Sequence, residues 1–593
     1  VIAAQSAAVS MRTPSRESAA MISVERSFYQ AFPRLAQGAG RTLSRPVVEL
    51  LRRVTCEAQV NATLDALQGS FGLPFVERAL ERLQFSYRVA PTDIDNIPSE
   101  GAVVIVANHP LGALDALCLL HLVGRVRRDV RILANEVLTQ LQPLRELLLP
   151  LDVFGGHGRA SLREAYRALD SEQALIVFPA GEVSRIRPQG VRDGRWTDGF
   201  LRFAARSGAP VLPVHIEAQN SAAFYGLSML SKPLSTLLLP REIFLARSQR
   251  ITLTVGAPVQ SEALQAPALT PRQIAQRMRM HVYRVGRRKP PVFATSSAIA
   301  HPLPAREVRA ALRHAEALGA TTDGRQILLL DAAADSPALQ EIGRLRELSF
   351  RRVGEGTGLR RDLDRFDAHY RHIVLWDEAQ LEIVGAYRLV EVARLLGSGN
   401  LEGLYSASLF DYAPEARSFL QASVELGRSF VQPRYWGGRS LDYLWQGIGA
   451  YLARHPELRY LIGPVSLSAR LPERARDWTV QVHRHFLGDR EALARARNPH
   501  RIEPALAARI DAALQGLDLK QGLVRLREEL DALGASLPVL YRQYVELCEP
   551  EGVRFLDFGL DPDFGHCVDG LIRVDLGCLK PAKRQRYLGV RPR

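Results

Sequence analysis

Two short stretches hold residue types that can do acid–base chemistry at the ends of buried strands. The first is Val103-Val104-Ile105-Val106-Ala107-Asn108-His109-Pro110-Leu111-Gly112-Ala113-Leu114-Asp115. A β-branched run ends at a histidine, and an aspartate follows six positions later. Such a run predicts a buried strand, so His109 stands at a strand's carboxyl end, where α/β folds carry chemistry. An aspartate folding back on the imidazole fixes its tautomer and raises its basicity, which makes His109 a general base for a hydroxyl. The simpler reading is a histidine in a strand-terminal turn. The second stretch, Ala174-Leu175-Ile176-Val177-Phe178, runs into Pro179-Ala180-Gly181-Glu182-Val183-Ser184-Arg185. Gly181 permits a tight turn, and Glu182 and Arg185 bring charge to the end of a buried strand, where charges usually bind something. A third strand is predicted over 209–216.

With Val-x-Pro-Val in that third strand, the order of these motifs resembles the glycerolipid and lysophospholipid acyltransferase superfamily, over about residues 85–260. The resemblance implies that His109 takes the proton of an acceptor hydroxyl attacking an acyl thioester and that Asp115 orients it. It places Gly181, Glu182 and Arg185 in the acceptor site. Five residues separate His109 from Asp115 where the superfamily has four, and Ala180 stands where it has a glutamate. Both departures resemble a subgroup that acylates aminolipids rather than glycerol phosphate.

The 593 residues suffice for two or more domains, and 47% hydrophobic with 24% charged residues excludes a disordered chain. There is no apolar run long enough to predict a transmembrane helix. Five cysteines without knuckle spacing predict no metal site and suit a reducing cytoplasm. A net charge of +14 suits an anionic partner: an acidic carrier protein or an anionic membrane. Nucleic acid is not expected, because no finger spacing or aromatic-basic signature is present. Residues 1–21 read as a disordered lead without a secretory core, with Met11 or Met21 as candidate starts. Helices are expected over 24–32, 46–67 and 74–83, as a cap on the core or as a membrane-leaning face through Arg41, Arg45, Arg52 and Arg53. The segment 224–245 is apolar and broken by Pro233 and Pro240, which leaves interfacial and core readings open. The first domain is placed at 22–285, a proline-rich linker at 286–304, a second domain at 305–580 and a basic tail at 581–593.

In the second domain, a helix near 306–318, a strand at 326–330, a helix at 336–350 and a hairpin of 372–376 with 382–389 are expected. A strand at 422–431 then runs into Pro433-Arg434-Tyr435-Trp436-Gly437-Gly438-Arg439-Ser440 and a helix, and a strand at 458–465 follows. Backbone amides at that helix N-terminus, with Arg434 and Arg439, would cradle a phosphate; a loop needing positive φ explains the glycines equally. The order of elements resembles GNAT-fold N-acyltransferases, and the residues resemble the ornithine-lipid and acyl-homoserine-lactone synthase branch. The likeness rests on Leu363-Asp364-Arg365-Phe366-Asp367 with a following histidine, on Glu425-Leu426-Gly427-Arg428, and on a similar tail through Asp575, with insertions around 394–403 and 475–530. It implies Glu425 as proton acceptor from the attacking amine, through water. It puts Asp364 and Asp367, with Arg428, at the amino-acid substrate, although both aspartates also suit caps. It assigns Arg434, Gly437, Gly438 and Arg439 to the phosphopantetheine phosphate of acyl carrier protein.

The expected fold class is thus α/β, with two mixed-sheet domains. Together the halves resemble bifunctional ornithine-lipid synthases, which acylate an amino acid's α-amine with a 3-hydroxyacyl group and then acylate the new hydroxyl. The resemblance implies no metal and no tightly bound cofactor. It also implies acyl carrier protein as donor, with acyl-coenzyme A an open donor for the O-acylation, and a peripheral place on the cytoplasmic membrane's inner face is expected. Rival readings are a lysophospholipid acyltransferase fused to an unrelated N-acetyltransferase, homoserine-lactone-type signal synthesis, and a catalytically silent membrane-bound scaffold.

Overall fold

The computed structural model describes residues 23–135, 141–151, 158–230, 235–236, 238–246, 251–265, 267–331, 333–397 and 401–589. The lead expected over 1–21 lies outside them. The chain divides into two units, Val1–Ala298 and Ile299–Arg593. Between Gly286 and Ala305 there is no helix or strand, yet Phe293 packs on the first unit's core.

The first unit contains β1 (Tyr87–Val89), β2 (Val103–Ala107), β3 (Val130–Asn135), β4 (Leu148–Leu151), β5 (Ala174–Val177), β6 (Arg185–Arg187), β7 (Gly190–Arg192), β8 (Val211–Glu217) and β9 (Ile251–Val255). Seven of them form a mixed sheet in the order β1-β9-β8-β2-β5-β3-β4, while β6 and β7 make a separate hairpin. β2 is central and parallel to both neighbours. Val103, Ile105 and Ala107 enter one apolar layer, and Val104 and Val106 the other. Burial on both faces explains the unbroken apolar run. Each buried valine or isoleucine contributes roughly 1.5–3 kcal/mol, so a one-residue slip of β2 is strongly disfavoured and His109 stays at the strand's end.

The second unit contains β10 (Glu316–Ala320), β11 (Gln326–Leu330), β12 (Arg371–Asp377), β13 (Glu382–Glu391), β14 (Phe410–Tyr412), β15 (Ser423–Val431), β16 (Tyr460–Leu467), β17 (Ala494–Ala496), β18 (Val553–Asp561) and β19 (Cys567–Asp575). Its eight-stranded sheet runs β10-β11-β12-β13-β15-β16-β19-β18. Every pairing is antiparallel except β15 with β16. That parallel pair covers only Ser423–Glu425 against Tyr460–Ile462. Beyond Glu425, β15 pairs only with β13 and β16 only with β19, so the sheet opens directly after the glutamate.

Several elements differ from the sequence reading. The helix expected over 46–67 is two: Gly38–Val54 holds Pro46 in its interior, and Glu57–Ala66 follows a break at Cys56, whose φ is 52°. The helix expected to reach Leu318 ends at Leu312, and the alanine-rich 316–320 becomes an edge strand because pairing with β11 overrides its helical propensity. Within the basic tail, residues 581–588 form a helix that buries Tyr587 and pairs Arg586 with Asp442 at 2.7 Å. The 475–530 region folds as helices Glu473–Leu487, Pro504–Leu514 and Leu519–Ala532 around an apolar cluster of their own. In the 224–245 segment, of which 231–234 and 237 lie outside the described residues, Phe224, Tyr225 and Leu238 are buried, whereas Met229 and Leu230 are exposed.

Candidate active sites

His109 follows β2 directly, and its neighbours pin the strand end. Asn108 bridges to β8, donating to Ile216 O at 2.8 Å and accepting from Ile216 N at 2.7 Å. Asn220 holds Pro110 O at 2.8 Å, and Ser184 N donates to His109 O at 2.7 Å. Gly112, at φ 79°, turns the chain into the helix Ala113–Gly124, and Asp115 sits in that helix's first turn. A φ in this region favours glycine. The fold-back brings Asp115 Oδ2 to 3.0 Å from His109 Nδ1. The same oxygen accepts from Leu111 N at 2.7 Å and Gly112 N at 3.0 Å. Asp115 is fully buried; burial pushes its carboxyl up, while the imidazole and the two amides pull against that. With Nδ1 turned to the aspartate, Nε2 is the nitrogen that can take a proton. The imidazole stacks on Phe178, ring centres 4.0 Å apart, and keeps 19% of its side-chain surface open.

Gly181 adopts φ 65° in the turn after β5. Glu182 Oε2 lies 3.7 Å from Arg185 Nε, and Glu182 is the more open of the two. Arg185 points inward: it donates to Ser228 Oγ and, at 2.8 Å, to Ser235 Oγ. It therefore ties the 222–236 region to the motif loop, and any contact with an acceptor is shared with that duty.

In the second unit Glu425 lies where β15 and β16 part. It is 1% exposed. It accepts from Tyr370 Oη at 2.7 Å, from Ser406 N at 3.3 Å and from Ser406 Oγ. Burial pushes its carboxyl above the ordinary glutamate range despite these donors. A buried carboxylate held above its ordinary range is suited to act as a general base.

Asp364 and Asp367 form a reciprocal cap on the turn Arg365–Ala368. Asp364 Oδ1 also holds Arg388 at 2.6 Å, and Asp367 Oδ1 holds Arg346 at 2.9 Å and His372 at 3.2 Å. Although burial pushes it up, Arg346, His372 and Arg388 hold the Asp367 carboxyl far below the carboxylate range. Asp367 is 4% exposed and Asp364 24%, so only Asp364 is open to a substrate. Arg428, at φ 47°, is buried beside Asp362 (3.2 Å) and Tyr405 Oη (3.1 Å). These residues gather on one side of Glu425 through Tyr405, whose N–H donates to Tyr370 Oη at 2.9 Å.

The glycine loop lies between β15 and the helix Ser440–Arg454. Gly437 takes φ 77°, which satisfies the turn reading on its own. Arg434 is paired with Glu382 Oε2 at 2.6 Å, and exposed Arg439 lies over Tyr443. Arg434 is thus engaged by an acidic side chain, and Arg439 is the helix N-cap residue, with no side-chain cap hydrogen bond.

Residue types and spacing did not disclose Asp193. Its Oδ1 accepts from His109 N at 3.2 Å and from Ser184 Oγ, and its Oδ2 from Trp196 Nε1 at 2.8 Å. Followed by Gly194 it reads as a turn residue, and 84 positions separate it from the histidine. Tyr370 and Ser406, the donors to Glu425, carried no signal either. Among the described residues, no group of three or more His, Cys, Asp or Glu is placed to hold a metal ion.

The model of a family described as "Acyltransferase" matches residues 32–286, and that of an "Acetyltransferase (GNAT) domain" matches 345–446. The first region is 30% identical over 246 residues to a lyso-glycine lipid O-acyltransferase of Bacteroides thetaiotaomicron, covering 40% of this chain and 89% of that enzyme. The same organism's glycine N(alpha)-acyltransferase is 28% identical over 279 residues, covering 44% of this chain and 81% of that enzyme. An L-ornithine N(alpha)-acyltransferase of Agrobacterium fabrum is 32% identical over 193 residues, covering 31% of this chain and 64% of that enzyme. With the His109–Asp115 pair in one unit and Glu425 at the sheet opening in the other, the chain belongs to the acyltransferase family and joins an O-acyltransferase-type domain to a GNAT domain of the N-acyltransferase type.

Proposed function

We propose that the chain makes an acyloxyacyl aminolipid in two steps. In the second unit a 3-hydroxyacyl group passes from acyl carrier protein to an amino acid's α-amine. The amine nitrogen bonds to the thioester carbonyl carbon, the C–S bond breaks, and Glu425 takes the amine proton through water. Arg428 and Asp364 orient the amino acid, and the Arg434–Arg439 loop receives the phosphopantetheine phosphate. In the first unit the lipid's 3-hydroxyl attacks a second thioester. His109 Nε2 takes the hydroxyl proton and delivers it to the leaving sulfur, and Asp115 stabilises the imidazolium formed between. No resident cofactor is required by either step.

The observation that carries this reading is the 3.0 Å approach of Asp115 to His109 at the end of a central strand. Ornithine is the head group that the sequence resemblance implies. The likeness to a glycine N(alpha)-acyltransferase over 81% of that enzyme supports glycine as a second reading. A peripheral seat on the inner face of the cytoplasmic membrane is supported by the helix Gly38–Val54, whose Leu43, Val47 and Leu50 are exposed at helical spacing beside Arg45. No helix among the described residues is long and apolar enough to cross a membrane.

The test is reconstitution. Full-length protein receives 3-hydroxyacyl carrier protein with ornithine or glycine, and the products are read by mass spectrometry. An N-(3-hydroxyacyl) amino acid, converted to the diacyl form, supports the reading. Acylation of lysophosphatidic acid instead, without any N-acyl product, would favour the phospholipid acyltransferase.

A further inference from the structure

A cavity lies beside the O-acyltransferase site and runs away from its motif residues. A polar pocket of about 540 Å³ is lined by Asn108 and Pro110, the two neighbours of His109, and by Ser184, His215 and Tyr283. Tyr283 also lines an adjoining cleft of about 390 Å³ whose other walls are Arg192, Arg279, Met280, Arg284, Arg287 and Lys289. Five of those seven residues are cationic and none is acidic. Arg279 is engaged, donating to Asp193 O and Gly194 O at 2.8 Å. Among the described residues, Arg192, Arg284, Arg287 and Lys289 make no ion pair, and Arg284 Nε is buried without a hydrogen-bond partner.

The C-terminal end of the helix Pro271–Gly286 favours cations, which accounts for Arg284 and Arg287. It does not account for Arg192, which arrives from β7 and lies 5.0 Å over the Tyr283 ring. Like charges brought together from separate elements repel unless an anion joins them. The tyrosine at the junction is wired to the catalytic strand: its hydroxyl accepts from Asp193 N at 2.9 Å, and the Asp193 carboxylate accepts from His109 N. Burial, with Arg287 and Arg192 behind it, lowers the His215 pKa to about 4, so no imidazolium adds to the lining.

We propose that this cleft holds the phosphate end of the pantetheine thioester that donates the acyl group at His109, with the pantetheine arm lying along the polar pocket past Tyr283. The proposal rests on the O-acyltransferase reading above. The shared chemistry is a pantetheine phosphate, carried either by coenzyme A or by a carrier protein's prosthetic arm.

The test uses full-length protein carrying Arg287→Glu with Lys289→Glu, both exposed positions, and separately Arg284→Gln. O-acylation of a lyso-aminolipid is measured with acyl-coenzyme A, acyl carrier protein and an unphosphorylated acyl-pantetheine. Binding of coenzyme A is measured by calorimetry. The expected result is a donor KM raised about tenfold or more for a phosphorylated donor, an acceptor KM and an acyl-pantetheine rate within about twofold, and weakened coenzyme A binding. A KM rise confined to acyl-coenzyme A identifies the nucleotide donor, whereas a rise confined to the carrier with unchanged coenzyme A binding means that these cations dock the carrier's surface and overturns the phosphate assignment. Unchanged donor KM values in both variants, or an equal rise with acyl-pantetheine, would overturn the cleft's role while the wild type's activity kept the acyl-transfer reading intact. A wild type that acylates no lyso-aminolipid from any donor would fail that reading, and the binding comparison would still decide whether the cleft takes pantetheine phosphate.

Discussion

Replacing Asp115 by asparagine removes one charge and keeps the shape. The oxygen facing His109 Nδ1 at 3.0 Å also faces two backbone N–H groups, so an asparagine must keep its carbonyl oxygen there. Its amide nitrogen then takes the place of Oδ1, which is buried and has no hydrogen-bond partner. Two unsatisfied N–H donors cost about 1–3 kcal/mol of stability. The larger effect falls on the transition state. With charge centres about 4 Å apart and an effective dielectric of about 20, the carboxylate stabilises an imidazolium by about 4 kcal/mol. At about 1.4 kcal/mol per decade, its loss lowers kcat for O-acylation by about a thousandfold. The assay is the initial rate of acyl transfer to a purified lyso-aminolipid, with circular dichroism confirming the fold. The N-acyl product should form at the wild-type rate, so the lyso form accumulates. A folded Asp115→Asn protein losing less than about tenfold would refute a charged orienting role for Asp115.

Four further outcomes follow from the same geometry. Glu425→Gln should lower N-acylation by about 10²–10⁴-fold while leaving acylation of supplied lyso-lipid intact, measured by separate assays. Because burial raises the Glu425 carboxyl, the N-acylation rate should rise with pH through an inflection above the ordinary glutamate value, absent in the glutamine variant. The sign for stability is the reverse: the folded state keeps this proton longer than the unfolded chain, so this group's contribution falls as pH rises from the unfolded to the folded pKa, which a urea series across pH would detect. Phe178→Ala removes the ring stacked at 4.0 Å on His109 and should slow O-acylation about three- to tenfold, read as kcat with acceptor KM nearly constant. Asp367→Asn strips the counter-charge from buried Arg346 and should cost about 3–5 kcal/mol by denaturant unfolding. Leu43→Asp with Leu50→Asp, at positions 79% and 61% exposed, should weaken binding to anionic vesicles more than tenfold without lowering the melting temperature.

Much of the scaffold was legible because the strands that position the chemistry are buried on both faces. β2 and β5 are continuous apolar runs, and their ends carry the motif residues. The His109–Asp115 pair was legible because both partners lie within one strand-turn-helix unit. What was not legible comes from distance. Asp193 reaches His109 from another hairpin, and Ser406 reaches Glu425 from the far side of a loop insertion. Asp364 and Asp367 show a different limit: their motif is visible, but the buried Arg346 and Arg388 that claim their oxygens come from separate elements. Pro46 inside a helix and an alanine-rich edge strand at 316–320 mark where local propensity yields to packing.

In the proposed function, two different sites act in order on one lipid. The most direct measurement is lipid mass spectrometry on a host without aminolipids that expresses the wild type, His109→Ala or Glu425→Ala. The predicted result is a diacyl amino-acid lipid from the wild type, the mono-acyl lyso form alone from His109→Ala, and neither from Glu425→Ala. A complete diacyl aminolipid from either variant, or none from the wild type, would contradict it.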